Sequence, residues 1–134
     1  MPYTILPHTA DLRIRAKAPS REALFREMMR GMFAAMQPEV DEDAKRAVRT
    51  VKLSAQDIEA LLIDFLNEAL TLAETKREVY DDVSFATLGA KALEAECIGR
   101  ERDTIRLEVK AATHHDVVIR QEDDVWEATV VFDI

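Results

Sequence analysis

The sequence predicts an α+β domain: two amphipathic helices packed against largely antiparallel β-sheet. Three observations carry that prediction. Apolar residues recur at helical spacing over Leu24 to Met36 and again over Ile58 to Ala73. Beyond residue 78 the apolar period changes from about 3.6 to 2. The strands this second period implies are joined by short polar turns, which favours hairpins.

Taken in order, Tyr3 to Leu6 is the first strand. Leu12, Ile14 and Ala16 alternate with Arg13, Arg15 and Lys17, a second strand with one basic face. Pro19-Ser20 breaks it, and Ser20 is a suitable N-cap for the first helix. That helix carries Leu24, Phe25, Met28, Met29, Met32, Phe33 and Met36 and ends before Pro38. A charged loop, Asp41 to Lys45, leads to a strand over Ala47 to Leu53. Ser54-Ala-Gln-Asp57 has the outline of a capping box, opening a second helix that should stop near Lys76-Arg77, where cations suit the negative helix end.

In the second half, Leu93, Ala95 and Cys97 alternate with glutamates, and Ile105, Leu107, Val109 and Ala111 read as a further strand. Val117 to Arg120 and Val125 to Asp133 flank the turn Gln121 to Asp124. Trp126, Ala128, Val130 and Phe132 share one face of the last strand. About seven strands result. Leu24, Met28, Met32, Leu61, Leu62, Phe65, Leu107, Val109, Trp126 and Phe132 are the expected core. Asp81-Asp82 and Glu122 to Asp124 read as solvated turns.

Composition limits the function classes. The 134 residues suit one domain, 1–134, with 48% apolar and 33% charged residues. The single cysteine, Cys97, excludes an intrachain disulfide and a cysteine zinc cluster, and its place on an apolar strand face makes it core. No apolar run is long enough to span a membrane, and the N-terminus lacks a signal-peptide layout, so a cytoplasmic protein is expected. A net charge of -8 argues against gripping nucleic acid with the whole surface. With no Gly-rich loop and no G-x-S-x-G elbow, neither a P-loop nor a serine nucleophile is expected.

All three histidines fall in two segments, Pro7-His8-Thr-Ala-Asp11 and Lys110-Ala-Ala-Thr113-His114-His115. His8 and Asp11 lie three apart, on opposite faces of an extended chain, so a turn is needed before they share an ion. Alternatively, they tie down the turn before the strand. The chain closes on Phe132-Asp133-Ile134, which offers a side-chain carboxylate and, if the chain ends there, an α-carboxylate. Hard cations take such oxygen donors. The alternative is a frayed, solvated end.

Together these segments resemble the archease family. His8-Thr-Ala-Asp11 resembles its opening motif. It is followed by a strand, a polar break and a helix reading Glu-Ala-Leu-Phe…Gly-Met-Phe over Glu22 to Phe33. Asp57 to Glu68 is similar to the family's second helix, Val109 to His115 to its V-K-A-x-T-x-H segment, and Trp126…Phe132-Asp-Ile134 to its ending. His114 stands where a tyrosine is usual, and the loop from Gly99 to Arg106 is short.

The resemblance implies a non-enzymatic activator of an RtcB-type RNA ligase in tRNA splicing and RNA repair. Such a protein promotes guanylylation of the ligase, supports multiple turnover and broadens nucleotide use. It also implies a divalent cation on Asp11, Asp133 and the Ile134 carboxylate. Calcium is the first choice, with magnesium or manganese as alternatives. His8, Lys110, Thr113 and His115 match motif positions and would orient ligands or meet the partner. RNA would be met only through the ligase. A metal-dependent phosphoester hydrolase and a metal-independent scaffold or chaperone are the competing classes.

Overall fold

The computed structural model describes residues 2–6 and 11–134. Its elements follow in the order β1 (Tyr3–Leu6), β2 (Leu12–Ala18), α1 (Arg21–Ala35), β3 (Arg46–Ser54), α2 (Ile58–Lys76), β4 (Glu78–Leu88), β5 (Ala92–Glu101), β6 (Ala111–Ala112), β7 (Val118–Glu122) and β8 (Val125–Asp133). The fold class is the expected one, two helices on antiparallel sheets. The strands divide between two sheets. One runs β1-β2-β8, with β6 and β7 both pairing with β8; the other runs β3-β5-β4. Every pairing is antiparallel.

Both helices start where a side chain can satisfy an orphan backbone donor. Ser20 Oγ accepts from the Ala23 N–H at 3.1 Å. In α2 the cap is Asp57, whose Oδ1 accepts from the Ala60 N–H at 2.8 Å. This corrects the capping box expected at Ser54: Ser54 is still paired with Ala92 at the end of β3, so the helix begins only after Asp57. α2 ends as expected, with Lys76 in the last turn and Arg77 in the left-handed region at φ 55°.

α1 lies against β2 and β4, and α2 against β3, β4 and β6, so each helix joins the two sheets. Between them Phe25, Phe65 and Phe85 meet with ring centroids 5.8–6.2 Å apart. Of the expected core, Leu24, Met28, Met32, Leu61, Leu62, Phe65, Val109 and Phe132 are buried, as is Cys97. Trp126 packs on the core from its margin, with the Arg21 guanidinium 5.9 Å from its ring centroid. Leu107 is a correction: it is half-buried and outside the core cluster.

Leu107 moves because its segment is not a strand. Only Ala111–Ala112 pairs with β8. Upstream, the Arg106 and Leu107 N–H groups donate to the Met36 carbonyl at 2.9 and 3.2 Å, and Asp103 N–H donates to the Glu39 carbonyl at 2.8 Å. The segment is tied to the end of α1 and the loop after it. Asp81-Asp82 is a second correction. The pair lies within β4, where the register shifts between Tyr80 and Asp82, and Asp82 forms an ion pair with Arg26 at 3.0 Å. The irregularity explains Gly99 opposite: a Cβ there would stand 1.8 Å from the Val79 carbonyl oxygen.

The three-stranded sheet carries a buried charge cluster on its inner face. Arg49 on β3 donates to both Glu78 oxygens on β4, at 2.9 and 2.6 Å, and Tyr80 Oη donates to Glu78 Oε1 at 2.8 Å. Glu78 and Tyr80 are 3% and 1% exposed. The Arg49 hydrogen bonds hold the Glu78 carboxyl below the ordinary 4.5, against the opposing effect of burial. Burial raises the Tyr80 phenol, helped by its bond to Glu78. Burial likewise pushes the Cys97 thiol up to about 12, so it is an inert core group. No helix among the described residues is long and apolar enough to cross a membrane.

Candidate functional site

Among the described residues, Asp11, Asp133, Ile134 and the backbone of Lys110 lie at one corner of the five-stranded sheet. In the register of β2 and β8, Leu12 faces Phe132. Asp11 immediately precedes Leu12 and Asp133 immediately follows Phe132, so the two carboxylate residues meet at the same end of neighbouring strands. Their separation in sequence hides this; antiparallel pairing creates it. Asp133 is exposed, Ile134 is 41% exposed, and Asp11 is half-buried.

On the other side of β8, β6 holds the second motif in place. Ala111 faces Asp133, and the Lys110 N–H donates to the Asp133 carbonyl at 2.8 Å. The Lys110 side chain is exposed. Thr113 is bound twice to the Val131 carbonyl, through its N–H and its Oγ1, each at 2.9 Å. Thr113 Oγ1 also accepts weakly from the His115 N–H at 3.3 Å. Thr113 therefore shapes the turn after β6. His115 lies beyond that turn, 71% exposed, with Nε2 at 3.2 Å from Asp116 Oδ2. His8 lies outside the described residues.

Sequence reasoning missed Asn67. From α2 its Nδ2 donates to the Ala112 carbonyl at 3.0 Å, and its Oδ1 accepts from the Ala112 N–H at 2.8 Å. The amide thus clamps β6 to the helix. Asparagine is a poor helix former, so its presence amid Phe65, Leu66 and Ala69 was the available signal.

Among the described residues the donor chemistry at this corner suits a hard divalent cation, since Asp11 and Asp133 both offer carboxylate oxygens. Among the described residues no three His, Cys, Asp or Glu side chains come together in a metal-binding group. Two side-chain carboxylates therefore need a further oxygen donor, and Ile134 adjoins them.

The archease protein family (MTH1598/TM1083) has a sequence model that matches residues 3–134. The archease of Methanosarcina barkeri is 31% identical over 98% of this chain and 95% of its own length. That of Thermococcus gammatolerans is 34% identical over 95% and 94%. Among solved structures, protein 1598 of Methanobacterium thermoautotrophicum superposes with a TM-score of 0.73 at 25% identity, covering 99% of both chains. A Thermotoga maritima protein described as an archease and possible chaperone shares the fold, with a TM-score of 0.65 at 22% identity over 96% and 94%. With its fold, its closing strand and its opening Asp11 placed together in this way, the chain belongs to the archease family.

Proposed function

We propose that this protein is a cytoplasmic, non-enzymatic accessory of an RtcB-type RNA ligase, promoting ligase guanylylation and multiple turnover in tRNA splicing and RNA repair. Membership of the archease family supports the reading. The observation that carries it is the meeting of Asp11 and Asp133 at one sheet corner, with the Lys110 backbone bonded to Asp133. Asp11 and Asp133 would hold a divalent cation, joined by the Ile134 carboxylate where that residue is the terminus. Calcium fits the all-oxygen donors best, and magnesium and manganese are the alternatives. When bound, the cation would supply positive charge to a partner handling phosphates.

The chain's own residues do the rest. Asp133 is the last residue of β8 and Asp11 immediately precedes β2, so the pairing of Leu12 with Phe132 anchors each carboxylate from its neighbouring residue. The Asn67 clamp and the Thr113 bonds hold the segment that presents Lys110. An exposed lysine there can meet a phosphate or an acidic group of the ligase. His8 and His115 would orient ligands or touch the partner. An accessory of this kind accelerates its partner only by favouring the competent state over the others.

Multiple-turnover ligation by the cognate ligase tests the reading. Sub-stoichiometric wild-type protein should restore turnover, while the protein alone should neither join RNA ends nor hydrolyse GTP. An Asp11→Ala, Asp133→Ala double variant should lose both the stimulation and calorimetric cation binding, with circular dichroism unchanged. Full stimulation by that folded variant would defeat the proposal and leave a metal-independent scaffold.

A further inference from the structure

A second feature adjoins this corner and shares Lys110 and Asn67 with it. Helix α2 and the irregular segment 102–110 enclose an open cleft of about 700 Å³. That is within the range of small-molecule sites. Three cations line it, Arg102, Arg106 and Lys110, in a chain whose net charge is -8. Two carboxylates, Glu74 and Glu108, line it as well, and the floor is apolar, with Leu70, Ile105 and Val109.

Among the described residues, neither Arg106 nor Lys110 has a side-chain ion pair, although carboxylates share the cleft. Arg102 is half-buried and donates from Nη1 to the Asp103 carbonyl at 2.7 Å. The backbone that presents the three residues is held at each one. Arg102 N–H donates to the Arg77 carbonyl at 3.0 Å, Arg106 N–H to Met36 at 2.9 Å, and Lys110 N–H to Asp133 at 2.8 Å. Binding therefore has to order the side chains but not the backbone that carries them.

We propose that this cleft binds a small organic phosphate of nucleotide type. Arg102, Arg106 and Lys110 meet the phosphates. The floor of Leu70, Ile105 and Val109 takes the apolar face of a ring, and Glu74 and Glu108 accept from ligand hydroxyl or amino groups. Cationic donors, carboxylate acceptors and an apolar floor together match such a ligand better than a simple anion. The proposal rests on the cleft alone and does not depend on the ligase reading.

Calorimetry on the purified protein in EDTA, without ligase, tests it with ATP, adenosine, pyrophosphate and hexaglutamate as probes. ATP should bind saturably and more tightly than adenosine or pyrophosphate, because each of those fills half the cleft. Arg106→Gln should weaken ATP about tenfold, the loss of one charge-assisted hydrogen bond. Lys52→Gln, the same charge change on the exposed side of β3, should leave ATP binding unchanged. Arg106 is exposed, so its variant should fold even if one at Arg102 does not. Absence of saturable ATP binding overturns the proposal, as does equal binding by the Arg106 variant. Hexaglutamate binding as tightly as ATP would also overturn it, marking the cleft as a seat for an acidic peptide.

Discussion

In the three-stranded sheet the Glu78 carboxylate lies buried between Arg49 and Tyr80, every hydrogen bond made inside the protein. In the five-stranded sheet the Asp133 carboxylate stands exposed at a strand end, beside Asp11. Both are acidic residues on β-strands, yet one is consumed by the fold and the other is left in solvent. Burial of an ionised group is tolerated only when it is paired, so Glu78 belongs to stability. A carboxylate kept in solvent, next to another carboxylate, adds little to folding and retains its capacity to bind.

Mutations can break or sharpen this contrast. The largest effect should come from the core that both sheets share. Phe65 is fully buried against Phe25 and Phe85, so Phe65→Ala should cost about 3–5 kcal/mol in a denaturant melt. A cost under roughly 1 kcal/mol would mean that the ring is not in the core.

Glu78→Gln should come next, at about 2–3 kcal/mol, because it leaves Arg49 without its carboxylate. Its pH dependence is the sharper reading. The folded carboxyl titrates below its ordinary 4.5, so its contribution is fully present above 4.5 and is lost as pH falls through the lowered folded value. Urea midpoints measured from neutral pH downward should therefore converge for wild type and Glu78→Gln in acid. Parallel curves would show that the pair does not lower the Glu78 carboxyl. The smallest effect should be that of Asp133→Asn, within about 0.5 kcal/mol of wild-type stability by the same melt. A substantial loss there would place Asp133 with Glu78 as a structural residue and dissolve the contrast.

How much of this was legible before the fold was known depended on the range of the interactions. The helices were, since Ser20, Lys76-Arg77 and the 3.6 period are local signals. So was the hairpin of β7 and β8, although its turn proper is Asp123-Asp124, with Asp123 at φ 56°. The resemblance to a known family pointed to Asp11 and Asp133, but their adjacency follows from strand register, which local pattern does not encode. Ile105 to Val109 misled for a related reason. Its alternation is that of a strand, yet the Arg106 and Leu107 N–H groups donate to the Met36 carbonyl, across the fold. Asp81-Asp82 looked like a turn because two adjacent acids suit one. A bulged strand accommodates them equally well, with one extra residue turned outward. Asn67 and the Arg49–Glu78 pair had no local signature, because their partners lie in distant segments.

The Asn67 amide has one further effect. A sheet edge with unpaired N–H and C=O groups is a template on which another chain can add a strand. At Ala112 both groups are taken, by a side chain reaching from α2. The helix thereby closes the edge of the sheet where β6 is only two residues long and too short to shield it. The result is an edge guarded against self-association beside the candidate corner: at Ala112 the backbone offers no open N–H or C=O for another strand to extend.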